Sequence, residues 1–231
     1  MRRIDNLAPL GRLAPLSPVG RLVALAVCAV SLASFVLQYV LLIRLTLDTV
    51  GPGFATVRFL SYFTILSNLA VICATASAAL DARGPLAAYW LTPRTLGAIA
   101  LYIGVTGTVY VTVLRHLWQP TGAQWWADSG LHYATPALYL GWWLACVPHA
   151  RLAWRDVPAW LVFPAVYLAW ALFRGTWAHE YPYPFIDVAA LGAAAVARNA
   201  AGVMALFVAF GALLVGLDRV LLPRLAPRAL A

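Results

Sequence analysis

The chain has 231 residues, 63% of them hydrophobic and 10% charged, with a mean hydropathy of +0.82. Soluble domains carry about a quarter charged residues, so an ordinary water-soluble globule is excluded, and the abundance of Leu, Val, Phe and Trp excludes disorder over most of the length. The net charge of +8 comes from 16 arginines, with no lysine, against 8 acids; here the arginines punctuate apolar runs, which is how membrane proteins carry positive charge, and a nucleic-acid reading is set aside.

Residues 1–21 form a basic arm with prolines and Arg2, Arg3, Arg12 and Arg21. Six apolar runs follow, at 22–43, 59–80, 96–114, 126–147, 157–173 and 200–217. Each approaches the ~20 residues that a helix needs to cross ~30 Å of hydrocarbon. Membrane β-strands would be shorter and would alternate, and these runs do not. The first run exceeds the length of a signal-peptide core and stays apolar past any small-residue site near Ala33, so an uncleaved span is expected. The prediction is all-α: a polytopic membrane protein, a six-transmembrane-helix bundle spanning 22–217 with a basic tail at 218–231. Pro164 is expected to kink the fifth run, and Ala201, Ala205 and Ala209 predict a close-packing ridge on the sixth.

Orientation follows from the arginines. Eleven fall on the side of the two chain ends and five on the other, so the positive-inside rule places the N- and C-termini in the cytoplasm of a plasma membrane. Trp118, Trp125, Trp126 and Trp177 then predict an outer aromatic belt, and Trp142, Trp143, Trp154 and Trp160 an inner one.

Polar residues inside such a bundle are costly and mark its interior. Ser61, Thr64 and Asn68 are spaced to share a helix face, as are Tyr102, Thr106 and Tyr110, and His132, Thr135 and Tyr139. Thr64 and His132 each lie five to six residues inside the outer end of their run, ~8–9 Å along the axis, so a hydroxyl and an imidazole share a depth. Thr64, Asn68, His132 and Asn199 are expected to line one interior cavity. The bland reading of Thr64 is a bond back to the Leu60 carbonyl, and that of Asn68 is interhelical glue. The Tyr181–Phe185 run is expected to form a rigid turn that anchors at the interface or caps a lipid-facing pocket. The cysteines Cys28, Cys73 and Cys146 have no paired spacing, so neither a disulfide framework nor a metal site is indicated. No G-x-S-x-G, H-E-x-x-H or P-loop occurs, and no cofactor is called for.

The segment Ser61-Tyr62-Phe63-Thr64-Ile65-Leu66-Ser67-Asn68, His132 with Pro136, and Arg174-Gly175 through Tyr181–Asp187 resemble a bacterial family of small six-span integral membrane proteins. That family is distantly similar to the eukaryotic androgen-induced membrane protein family, threonine hydrolases of fatty acid esters of hydroxy fatty acids. The resemblance runs from Leu22 to about Leu217. It implies a catalytic threonine in a Tyr-x-Thr context, here Thr64, and a catalytic histidine opening a later helix, here His132. The Tyr181–Phe185 loop has no counterpart in the eukaryotic enzymes.

The expectation is therefore hydrolysis of a lipid-like ester at the outer interface, with Thr64 as nucleophile and His132 as base. Asn68 and Arg174 are candidate oxyanion donors, and Asp128 or Asp187 candidate orienters of the imidazole. Tyr62, Tyr110 and Asn199 complete the candidate pocket. Membrane lipids and the ester are the expected partners. The alternatives are a non-catalytic protein that binds or transports a lipid or small amphiphile, and a structural membrane subunit.

Overall fold

The computed structural model describes residues 16–221, and every regular element among them is helical. The basic arm up to Pro15 and the tail from Leu222 onward lie outside the described residues, and with them Arg2, Arg3, Arg12, Arg224 and Arg228. Among the described residues ten α-helices run in order: α1 (Pro18–Leu60), α2 (Phe63–Ala79), α3 (Pro85–Trp90), α4 (Pro93–Thr112), α5 (Gly122–Ser129), α6 (Thr135–Cys146), α7 (Asp156–Trp160), α8 (Val162–Ala178), α9 (Val188–Leu191) and α10 (Ala193–Gly216). A π turn, Gly130–Ala134, joins α5 to α6 without a break.

Among the described residues four helices are long and apolar enough to cross a membrane: Pro18–Thr46, Pro93–His116, Asp156–Ala178 and Ala193–Arg219. The pair Asp48–Leu60 and Phe63–Ala79 makes a fifth if taken as one span, bent by 73°. The run 126–147 is helical as far as Cys146, but Ser129, His132 and Thr135 dilute its apolar character and it is not among the four.

The expected connection at 44–58 is helical, because α1 continues to Leu60 with a single kink at Gly51 (φ 72°, ψ 165°). Only glycine takes that φ without strain, and Pro52 beside it cannot donate to the helix. The second run does not begin as a helix at Phe59. Phe59 and Leu60 end α1, Ser61 and Tyr62 are not helical, and α2 starts at Phe63. Ser61 therefore does not share a helix face with Thr64. Its hydroxyl donates to the Val57 carbonyl at 2.6 Å and accepts from the Trp170 indole at 3.2 Å.

α4 is the central helix. It packs on α2, α6 and α10, and Leu96, Ile99, Leu101 and Ile103 are fully buried. At its contact with α10, a Cβ on Gly104 would lie 2.6 Å from the Phe210 ring, so glycine sets the approach. The packing face of α10 is Phe207, Gly211, Leu214 and Val215. Ala201, Ala205 and Ala209 are exposed, so the predicted small-residue ridge packs against nothing among the described residues. The large side chains on the other face make more core contact.

Pro164 acts three residues earlier than a simple kink implies. The helix is interrupted at Leu161, because Pro164 has no N–H to offer the Trp160 carbonyl. The Tyr102 hydroxyl donates to that carbonyl instead, at 2.8 Å. The tryptophans divide differently from expectation. Trp118, Trp125, Trp126, Trp154 and Trp177 are exposed, whereas Trp142, Trp143 and Trp160 are core residues. Indole nitrogens find partners inside: Trp142 donates to the Gly20 carbonyl at 3.0 Å and Trp160 to the Arg94 carbonyl at 3.1 Å.

Candidate active site

The break between α1 and α2 builds the centre of the site. Thr64 is the second residue of α2, where the first backbone N–H groups of a helix have no partner within it. Its N–H donates to the Tyr183 hydroxyl at 3.1 Å. Leu60 lies across the break, and the Thr64 side chain makes no bond back to it. Its Oγ1 sits 3.3 Å from His132 Nε2 and 3.2 Å from the Tyr183 hydroxyl oxygen. Both distances are at the long end of hydrogen bonding, as is common for reacting pairs without substrate.

His132 is positioned by the π turn. Pro136 lacks the N–H that would reach the His132 carbonyl, and the helix widens in the turn before it, at Gly130–Ala134. Such π turns are frequent at functional sites. Two glycines admit this widened turn to its neighbours. A Cβ on Gly130 would lie 1.9 Å from Ser34 Oγ of α1, and one on Gly107 of α4 would lie 3.1 Å from the Pro136 ring.

The imidazole is held on three sides. Its Nδ1 lies 3.0 Å from the Asp128 carbonyl oxygen and 3.3 Å from Asp128 Oδ1. Both are acceptors, so Nδ1 carries the hydrogen and Nε2 turns a lone pair toward Thr64. The Tyr110 ring stacks on the imidazole at 4.0 Å and 15°, and its hydroxyl donates to Asp128 Oδ2. Asp128 is 6% exposed. A single directional chain satisfies every group: Tyr183 O–H to Thr64 Oγ1, Thr64 O–H to His132 Nε2, His132 Nδ1–H to Asp128.

An apolar cavity of about 80 Å³ opens beside Thr64, between α4, α8 and α10. Its walls include Val105, Pro164, Leu168, Met204 and Phe207, and Tyr183, Phe185 and Ile186 close one end. Tyr183 and Phe185 stack at 5.3 Å with nearly parallel rings. Burial pushes the Tyr183 phenol up to about 12, with the Thr64 hydrogen bonds acting in the opposite direction, so it remains a neutral donor.

The other expected residues are placed as follows. Asn68 is fully buried beneath Thr64 and does not line the cavity; its amide donates to the Thr64 carbonyl at 2.8 Å and the Leu131 carbonyl at 3.3 Å, which ties α2 to the π turn. His132 touches Thr64 from outside the cavity wall. Asn199 also lies off the wall and donates to the Phe185 carbonyl at 2.9 Å, holding the closing loop. Arg174 does not reach Thr64. It is 1% exposed, pairs with Glu180 at 2.6 Å and lies 5.7 Å from the Phe54 ring centre. Arg58 joins the same carboxylate at 3.1 Å. Asp187 does not orient His132; it caps α9 by accepting from the Ala190 N–H at 3.0 Å. Tyr62 packs edge-on against Tyr183 at 5.9 Å.

Tyr183 is the site residue that sequence reasoning did not single out. The Tyr-Pro-Tyr-Pro-Phe run marks a rigid turn, but nothing in it says which ring reaches 119 residues back to Thr64. Gly175 is part of that answer, since a Cβ there would lie 2.1 Å from the Tyr181 ring packed over it. A comparison with family models, with curated proteins and with solved structures finds no match to this chain.

Proposed function

We propose that this chain is an integral membrane hydrolase of lipid-like esters, working through an acyl-threonine. The single observation that supports it most is the Thr64–His132–Asp128 series at the edge of an apolar cavity. A nucleophile, a base and an acceptor that orients the base lie in sequence. The resemblance of the Thr64 and His132 contexts to the threonine hydrolases points the same way.

In this reading Thr64 Oγ attacks the ester carbonyl carbon while His132 Nε2 takes its proton. The carbonyl oxygen becomes an oxyanion, which receives the Tyr183 hydroxyl hydrogen as donor in place of Arg174 or Asn68. The protonated imidazole then gives its proton to the departing alkoxide, releasing the alcohol and leaving an acyl-Thr64 ester. Water, deprotonated by the same Nε2, attacks that ester and releases the acid, and Thr64 regains its proton.

The bundle is read as six spans. The four apolar helices, the bent pair and the continuous helix Gly122–Cys146 supply them, and the arginine distribution orients both ends to the cytoplasm of the plasma membrane. The test of the chemistry is covalent labelling of purified protein by an alkyl fluorophosphonate. Labelling on Thr64 is expected, lost in Thr64→Ala and strongly reduced in His132→Ala, with the double variant little worse. Wild-type protein that takes no label, or Thr64→Ala that labels as wild type, removes the hydrolase reading.

A further inference from the structure

We propose that the cavity is a lateral acyl-chain site: a long apolar chain enters from the bilayer between α8 and α10 and brings its carbonyl group to Thr64. This rests on the assignment of Thr64 above, but the site itself is argued from its walls.

The cavity's polar groups fix the orientation of a ligand. Thr106 is committed to Ser67 at 3.1 Å and the Tyr102 carbonyl at 2.9 Å, and Tyr167 to the Ser61 carbonyl at 2.9 Å. The Thr64 and Tyr183 hydroxyls stand together and are paired with each other at 3.2 Å, the long end of hydrogen bonding, so they are the polar groups of the wall that can turn to a ligand. Everything else is hydrocarbon, without a charged side chain. An occupant must therefore be apolar along its length with one polar group at one end, because a buried polar group without a partner is costly.

The route of entry follows from which walls are closed. The end beside Thr64 is covered by Tyr183, Phe185 and Ile186, pinned through Asn199. The Phe63, Val105 and Phe207 walls are buried core. The half-buried aliphatic lining residues are Val109 and Leu114, at and just past the end of α4, with Leu168 on α8 and Ala200, Val203 and Met204 on α10, and it is the last two helices that carry them at mid-length. Leu168 lies ten residues before the end of α8 and Met204 eleven after the start of α10, so both are ~15 Å inside their helices. In a hydrocarbon layer ~30 Å thick, side chains exposed at that depth face lipid. Val208, one turn after Met204 and on the same face of α10, is exposed as well. The cavity, about 80 Å³, is roughly half of one that holds benzene. It seats the first carbons of a chain, and the remainder lies in the opening among lipid tails. Met204 suits this wall, since an unbranched thioether repacks readily.

The experiment uses full-length protein in phosphatidylcholine vesicles with a long-chain fatty acyl ester carrying a mid-chain diazirine. Irradiation is expected to crosslink the probe to peptides containing Leu168 or Val203–Phe207. Ala200→Trp should lower that crosslinking at least tenfold. It should also lower long-chain ester hydrolysis at least tenfold further than labelling by a small methyl fluorophosphonate. Ala201→Trp, which does not line the cavity, should leave both unchanged. Wild-type crosslinks confined to other helices overturn the proposal without reference to any variant, as does an Ala200→Trp protein with undiminished crosslinking. Crosslinks in α8 and α10 together with no hydrolysis and no fluorophosphonate label would instead retain the chain site and remove the hydrolase reading.

Discussion

Gly130 is the position where one methyl group should disturb the site most directly. It opens the π turn that carries His132, and a Cβ there would sit 1.9 Å from Ser34 Oγ and 2.7 Å from Ser34 Cβ, while the Ser34 Cα is 3.8 Å away. Ser34 is 8% exposed and its hydroxyl is tied to the Val30 carbonyl at 2.9 Å, so rotation alone does not clear both atoms. In Gly130→Ala, α1 and the π turn must separate. Overpacking of this kind costs about 1–3 kcal/mol, which at ~2–4 °C per kcal/mol for a chain of this length lowers the thermal midpoint by roughly 2–12 °C. The same separation lengthens the 3.3 Å Thr64–His132 contact, and a misplacement of ~1 Å reduces reaction rates ~100-fold. Adding Ser34→Gly removes both offending atoms and leaves only the ordinary 3.8 Å contact. Thermal unfolding in detergent and the rate of fluorophosphonate labelling should therefore both fall in the single variant and recover together in the double. Gly130→Ala protein with wild-type stability and labelling would refute the reasoning, as would a double variant no better than the single.

Tyr102→Phe should cost about 1–3 kcal/mol, because it leaves the Trp160 carbonyl that Pro164 frees without its donor; in a Pro164→Ala background the same change should cost measurably less in thermal unfolding. Asp128→Asn keeps the shape of the carboxylate but can present a donor to His132 Nδ1, so labelling of Thr64 should slow by orders of magnitude with little loss of stability. Tyr183→Phe removes the proposed oxyanion donor and should slow labelling ~100-fold or more. It also has a pH signature. The Tyr183 phenol titrates higher in the folded protein, about 12, than the ordinary ~10. Its contribution to stability is therefore complete below pH ~10 and lost as pH rises toward 12. The stability difference between wild type and Tyr183→Phe should be constant up to pH ~10 and shrink above it; a difference that grows with pH would contradict the assignment.

That the chain is helical and built of apolar helices able to cross a membrane is legible in its residues alone, because apolar run length and charge placement are local properties read one segment at a time. The pairing of Thr64 with His132 is suggested by that reading but not for the reason it gives: the residue count assumes a helix from Phe59, whereas α2 starts at Phe63 and the helix that carries His132 starts at Gly122, so the two meet through the break and the π turn and not through equal depth. How those residues are used is a matter of tertiary packing. The helix through 44–58 and the break at Ser61–Tyr62 follow from a glycine at positive φ and from packing on α8, and that break turns Thr64 away from a routine bond to Leu60 toward His132. Asp128 is four residues before His132, a pair that helical spacing already allows, but the removal of Asp187 to a helix cap and the loss of Arg174 to Glu180 depend on how the closing loop is seated, which no spacing records. Tyr183 shows the limit most plainly: its place beside Thr64 is set by a contact spanning 119 residues. Long-range contacts of this kind arise from the shape of packed helices, and Gly107, Gly130 and Gly175 admit them through side chains they lack.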